Sequence, residues 1–231
     1  MSMLDNVRRL REEIDIAAKQ SGRTGADISL VAATKTQSAE AVREAIAAGV
    51  DACGENRVQE LVEKAAAGAY AGVPTHFIGH LQKNKVRKVV GEVSLIQSVD
   101  SIELLRAIDR VAAERKIVQD VLIQVNIGDD ANKFGIHAKE LEPLLGQIEP
   151  MPNIQVRGLM TIPPLLSDLD ETRGLFAEMY QVYVDISRKS YHNIRMDILS
   201  MGMSGDFRDA ILEGANMIRV GSTIFGDRIY S

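Results

Sequence analysis

The sequence predicts an α/β protein, a closed (β/α)8 barrel of the TIM type with one extra helix at its N-terminus. Eight short apolar segments recur along the 231 residues, and amphipathic helical segments separate them. The apolar segments are continuous runs, as expected for strands that are buried on both faces. An open doubly wound sheet is the alternative, but no Gly-x-Gly-x-x-Gly pattern follows the first strand. We expect one domain over residues 1–231.

The chain begins with an amphipathic segment, residues 3–20, in which Leu4, Val7, Leu10 and Ile14 share one face. After it, strands and helices alternate. The predicted strands are residues 29–34, 51–54, 75–79, 95–99, 120–127, 154–162, 197–200 and 217–220. The predicted helices between them are residues 39–48, 57–66, 84–90, 101–115, 138–148, 170–189 and 207–213.

Side chains that can cap helices support these boundaries. Ser38, Asp206 and either Asp100 or Ser101 stand where helices begin. Gly49 and Gly214 stand where helices end.

Composition excludes several classes of protein. The net charge of -5 gives no general attraction to nucleic acid or to an anionic membrane. A single cysteine, Cys53, excludes an intramolecular disulfide and a cysteine-rich zinc site. We expect no metal site. Because neither a signal peptide nor an apolar run of the ~20 residues of a membrane helix is visible, we expect a cytoplasmic protein.

Lys35 is the first candidate functional residue. It ends the first predicted strand, and the carboxyl ends of barrel strands carry the active site. Lysine at such a position can form a Schiff base, although a surface lysine is about equally consistent with its position alone.

Two loops rich in small residues predict a phosphate site. Residues 199–206 (LSMGMSGD) follow the seventh strand, and residues 219–223 (RVGST) end the eighth. Barrels commonly bind phosphate with these two loops, whose backbone N–H groups and hydroxyls can converge on an anion. Arg219 points either into this site or toward a structural ion pair.

Other candidates are weaker. Asn56 could bind a ligand or cap the helix that follows it, and His80 could be an acid/base but shows no partner in the sequence. Lys133 is a possible accessory lysine. Asp129 and Asp130 lack the remaining ligand spacing of an EF-hand.

Six segments together resemble the pyridoxal phosphate homeostasis proteins, relatives of the alanine racemase N-terminal barrel. They are residues 31–35 (VAATK), 54–60 (GENRVQE), 76–85 (HFIGHLQKNK), 158–160 (GLM), 199–204 (LSMGMS) and 219–226 (RVGSTIFG). The resemblance spans nearly the whole chain in the family's order. It implies a protein that binds pyridoxal 5′-phosphate (PLP) as a covalent aldimine on Lys35.

The resemblance also implies the remaining cofactor-binding residues. They are Asn56, His80, Ser200, Met203, Ser204, Arg219, Gly221, Ser222 and Thr223. Arg219 would face the pyridine nitrogen, and the residues of the last two loops would hold the phosphate. Because an arginine can only donate, the ring would be a weak electron sink.

We therefore expect a carrier or buffer of PLP that maintains vitamin B6 and amino-acid homeostasis without robust catalysis. The racemase adds a tyrosine from a second domain that we expect to be missing here, and Tyr230 is no obvious substitute. A PLP-dependent racemase or lyase is the main alternative, and a Schiff-base aldolase of phosphorylated sugars is a third. Expected partners are PLP and apo-forms of PLP enzymes, and we expect a monomer.

Overall fold

A computed structural model describes residues 2–164 and 169–226. Eight strands form a closed barrel in the order in which they occur in the chain, which confirms the predicted fold. The pairings β1–β2, β1–β8, β4–β5, β5–β6 and β6–β7 are parallel. The strands are β1 (Ser29–Ala33), β2 (Ala52–Glu55), β3 (Thr75–Phe77), β4 (Leu95–Val99), β5 (Gln119–Val125), β6 (Ile154–Thr161), β7 (Ile194–Ser200) and β8 (Met217–Val220).

Helices separate most of these strands. They are α1 (Met3–Gln20), α2 (Ala39–Ala47), α3 (Val58–Ala66), α4 (Ile102–Arg115), α5 (Ala138–Leu145), α6 (Leu169–Ser187), α7 (Phe207–Leu212) and α8 (Ser222–Phe225). The helix predicted at residues 84–90 is instead a 3₁₀ segment, Lys83–Lys88. Four of its six residues are basic and only Val86 is buried, so neither apolar packing nor side-chain pairing favours a longer α-helix.

The predicted helix caps are mostly correct. The hydroxyl oxygens of Ser38 and Ser101 accept the backbone N–H groups of Ala41 and Leu104, so Ser101 rather than Asp100 caps α4. Asp206 stands at the start of α7, but its carboxylate accepts the N–H of Met203 at 2.6 Å instead of capping the helix.

The described residues form two compact units. The first comprises the residues up to His76 together with those from Met201 onward. In it, α1 contacts α2, α7 and α8 and buries Val7, Leu10 and Ile14. Leu4, which was predicted on the same face, lies in the first turn of the helix and is 50% exposed.

The second unit is Phe77–Ser200 and contains the paired strands β4 to β7. Its ladder shifts register beside Gly158, where φ is +148°. A Cβ atom there would lie 1.8 Å from the carbonyl oxygen of Ile198, so only glycine permits this close approach. The single domain over residues 1–231 stays a prediction. Within the described ranges, no helix is long and apolar enough to cross a membrane.

Candidate functional site

Lys35 lies on a cavity of about 240 Å³ in the first unit. The cavity is formed by the end of β1, the loop between β7 and α7, and the turn from β8 into α8. Its lining residues are Ala33, Lys35, Gln37, Met203, Ser204, Gly205, Arg219, Gly221, Ser222, Phe225 and Gly226. We call it the Lys35 cavity. Lys35 itself is half-buried, which favours the site interpretation over that of a surface lysine.

The two loops predicted to hold phosphate meet in this cavity. The backbone N–H of Gly221 donates to the hydroxyl oxygen of Ser204 at 3.2 Å. Gly202 allows the first loop to lie against α7, since a Cβ atom at its φ of +94° would approach the Cβ atom of Ala210 to 2.6 Å. Serine and glycine residues from both loops therefore line the same cavity.

Arg219 supplies a buried positive charge. Its side chain lies on the cavity and the residue is only 4% exposed. Burial lowers the pKa of Arg219 to about 10, while the negative charge of Asp206 acts in the opposite direction. The guanidinium group therefore keeps its charge at pH 7 and acts only as a donor.

Asn56 does not cap a helix, contrary to one of the two interpretations of the sequence. Arg57 takes the cap position, and α3 begins at Val58. The Oδ1 atom of Asn56 is buried and has no hydrogen-bond partner among the described residues. Because Ala33 pairs with Gly54, Asn56 follows β2 at the level where Lys35 follows β1. A buried acceptor without a partner is unusual in a folded protein and suits a ligand.

His80 and Ser200 belong to the second unit. The Nδ1 atom of His80 lies 3.3 Å from a carboxylate oxygen of Asp100, and the ring stacks on Phe134 with centroids 3.9 Å apart. The histidine thus has partners that sequence reasoning missed. Ser200 is fully buried, and its hydroxyl donates to Oε1 of Gln97 at 2.7 Å.

The remaining candidates are placed as follows. Met203, Ser204 and Ser222 line the Lys35 cavity, whereas Thr223 lies half-buried on α8. Cys53 is fully buried, which raises the pKa of its thiol to about 12 and agrees with the expected apolar role. Tyr230 lies outside the described residues.

Five lining residues were not among the predicted site residues: Ala33, Gln37, Gly205, Phe225 and Gly226. Gln37 could have been found, since it lies two residues after Lys35 in the same turn. Phe225 and Gly226 lie in the segment 219–226 that carries the resemblance, but the resemblance implied no role for either residue. Within residues 2–164 and 169–226, no group of three or more His, Cys, Asp or Glu side chains could hold a metal ion.

An amine, a guanidinium group, hydroxyls and glycine N–H groups thus surround one cavity. This set suits an anionic ligand with a carbon that an amine can attack. The family model of the alanine racemase N-terminal domain matches residues 6–229. A "Pyridoxal phosphate homeostasis protein" from Aquifex aeolicus is 39% identical over 230 residues and all of both chains.

The chain belongs to the pyridoxal phosphate homeostasis protein family.

Solved structures agree. A protein from Bifidobacterium adolescentis is similar with a TM-score of 0.91 and 36% identity, over 96% of this chain and 94% of that one. PipY of Synechococcus elongatus with PLP bound is similar with a TM-score of 0.85 and 35% identity, over 97% and 100%. Both likenesses cover nearly the whole of each chain. The predicted family is therefore confirmed.

Proposed function

We propose that this chain binds pyridoxal 5′-phosphate covalently on Lys35 and carries or buffers it. In this way it maintains intracellular vitamin B6 and amino-acid balance. The observation that carries the proposal is that one cavity brings Lys35, Arg219 and the linked loops at Ser204 and Gly221 together. The names of the relatives and the PLP found in PipY support it.

The residues of the Lys35 cavity fit the parts of this cofactor. Ser204, Gly221 and Ser222, with Thr223 beside them, suit the phosphate. Arg219 suits the ring nitrogen, and the buried Oδ1 of Asn56 offers an acceptor. When bound, the cofactor supplies an aldehyde carbon with which the Lys35 amine forms a C=N bond, releasing water.

A carrier fits this site better than a catalyst. Arg219 stays protonated and can only donate, so it cannot keep a pyridine nitrogen protonated as a carboxylate does. Burial lowers the pKa of Arg219, and the negative charge of Asp206 acts to raise it. The carboxylate of Asp206 also accepts a hydrogen bond from the backbone N–H of Met203. His80, the candidate second acid/base, is not among the residues that line the Lys35 cavity.

The test is a visible spectrum followed by borohydride reduction and peptide mapping. We expect a yellow protein with the reduced cofactor on the peptide that contains Lys35. Lys35→Ala should lose all of this label but keep weaker binding through the phosphate loops, and Lys133→Ala should keep the label. A colourless, unlabelled wild type would contradict the proposal. Full labelling of Lys35→Ala would show that the cofactor attaches to another lysine, and Lys133 would be the first candidate.

The finer parts of the proposal need their own measurements. We expect a cytoplasmic monomer that passes PLP to apo-forms of PLP enzymes. Light scattering on the eluting protein tests the monomer, and activation of an apo-enzyme by the loaded protein tests transfer. Rapid exchange of the α-proton of an amino acid would contradict the carrier and favour the racemase or lyase alternative.

A further inference from the structure

Side chains from β2 and α3 hold the backbone on both sides of Lys35. Before it, the hydroxyl of Thr34 donates to Oε1 of Glu55 at 2.5 Å, and the Thr34 carbonyl oxygen accepts from Nζ of Lys64 at 2.7 Å. After it, the N–H of Thr36 donates to Oε2 of Glu60 at 2.7 Å. We call Glu55, Glu60 and Lys64 the flank network.

The flank network is charged and largely buried. Lys64 Nζ lies 2.6 Å from Oε1 of Glu55 and 3.3 Å from Oε2 of Glu60. The side chain of Glu55 is 0% exposed and that of Lys64 is 9% exposed. Such buried pairs are poor devices for raising stability, because desolvation opposes their attraction. Buried ion pairs are better known for fixing one conformation of the chain. The segment that this network would fix is the one that contains Lys35.

That segment has a strained conformation. Thr36 has a φ of +64°, in the left-handed region that β-branched residues rarely adopt. A residue stays there only when its surroundings impose it, and such strain concentrates at functional sites. Two hydrogen bonds hold this turn: the N–H of Gln37 donates to the Thr34 carbonyl oxygen at 3.1 Å, and the N–H of Thr36 donates to Oε2 of Glu60 at 2.7 Å.

We propose that the flank network positions Lys35, holding its backbone so that the amine faces the Lys35 cavity and captures an aldehyde ligand quickly. The inference rests on the proposed function and adds positioning residues that touch no ligand. Capture forms the C=N bond between Lys35 Nζ and the aldehyde carbon, and the aldehyde oxygen leaves as water. Misplacing the amine slows this step, because near-attack geometry decides its rate.

Glu60→Ala is the test variant because the side chain of Glu60, at 17% exposed, is the most exposed of the three in the flank network, so its truncation disturbs the fold least. Glu63→Ala is the matched control: it removes the same charge from the same helix, at an exposed position where the carboxylate accepts from the side-chain amide of Gln59. In the cofactor-free proteins, amide hydrogen exchange is followed at Thr36. In a second arm, the rate of PLP attachment at Lys35 is followed by absorbance and borohydride trapping.

We expect Glu60→Ala to lose the protection of the Thr36 amide and to attach PLP about 10-fold or more slowly. Glu63→Ala should stay within about twofold of wild type in both arms. Glu60→Gln should restore fast attachment, because its amide oxygen can still accept the Thr36 N–H. If Glu60 served only the stability of the fold, its substitution would lower that stability, and Glu60→Gln would not recover the rate of attachment.

Three results would overturn the positioning role. They are equal rates for Glu60→Ala and Glu63→Ala, loss of Thr36 protection without slower attachment, and Glu60→Gln as slow as Glu60→Ala. In each case fast attachment at Lys35 of the wild type would leave the proposed function standing. A wild type that never attaches PLP at Lys35 would overturn the proposed function and the positioning role together.

Discussion

The Lys35 cavity and the surface around His80 both follow the ends of barrel strands, yet they use charge differently. The cavity contains Arg219, a cation that is 4% exposed. The other region, which we call the His80 surface (His80, Asp100 and Phe134), lies nearer to solvent: Phe134 is 55% exposed, and the side chains of His80 and Asp100 are 37% and 14% exposed. A buried charge is costly, so proteins keep one where it binds a ligand or fixes one conformation. Exposed ion pairs contribute little to stability.

Two histidines repeat this difference within a short stretch. His76 lies in β3 and is 6% exposed, whereas the side chain of His80 is 37% exposed. Burial lowers the pKa of His76 from its ordinary value of 6.5 to about 4. One histidine is therefore a buried neutral group, and the other is a surface partner of Asp100.

The largest effect on stability that we expect comes from His76. Its folded-state pKa is depressed, so between pH 6.5 and about 4 the unfolded chain binds a proton that the folded chain does not. Its contribution is complete above pH 6.5 and decreases as the pH falls, by about 3 kcal/mol in total. Urea unfolding at several pH values measures this.

The variant His76→Gln should lack that part of the pH dependence, whatever its stability at pH 7. The control His192→Gln replaces an exposed histidine and should keep it. Equal pH profiles for wild type and His76→Gln would show that His76 is not the group responsible.

The next effect concerns the buried cation of the cavity. Arg219→Met should weaken PLP binding roughly 10- to 100-fold, because a hydrogen bond to a charged group contributes about 1.5–3 kcal/mol. The cofactor-free variant should be as stable as the wild type or more so, since an apolar side chain of similar volume removes a desolvated charge. Equilibrium dialysis and thermal unfolding measure the two quantities.

Arg208→Met is the matched control for that change. Arg208 lies on α7, is exposed, and pairs with Glu13 at 2.8 Å. It should change neither quantity by more than about 0.5 kcal/mol. A large loss of stability in Arg219→Met alone would mean that the cation serves the fold rather than a ligand.

The smallest effect should come from the His80 surface. The coupling energy between His80 and Phe134 in a double-mutant cycle with alanine should be about 1 kcal/mol or less, because both side chains are partly solvated. Unfolding in urea of the wild type, both single variants and the double variant measures it. A coupling of several kcal/mol would remove the contrast between the two regions.

Much of the fold was predictable because its signals are local. The bounds of α1, β4 and β8 agree with the predicted ranges, and Ser38 caps α2 as predicted. Apolar periodicity and caps act within a few residues of the chain. The helix predicted at residues 84–90 is instead the 3₁₀ segment Lys83–Lys88, in which one apolar residue, Val86, does not outweigh a run of like charges.

The sequence by itself determined the barrel, the lysine at the end of β1 and the loops of small residues, since each is a property of neighbouring residues. Only the tertiary structure decided which polar groups are buried together. Lys64 reaches Thr34 across 30 positions of the chain, and the buried Oδ1 of Asn56 has no hydrogen-bond partner within the described residues. Burial depends on what distant segments cover, and this alone makes Glu55, Glu60 and Lys64 the neighbours of Lys35.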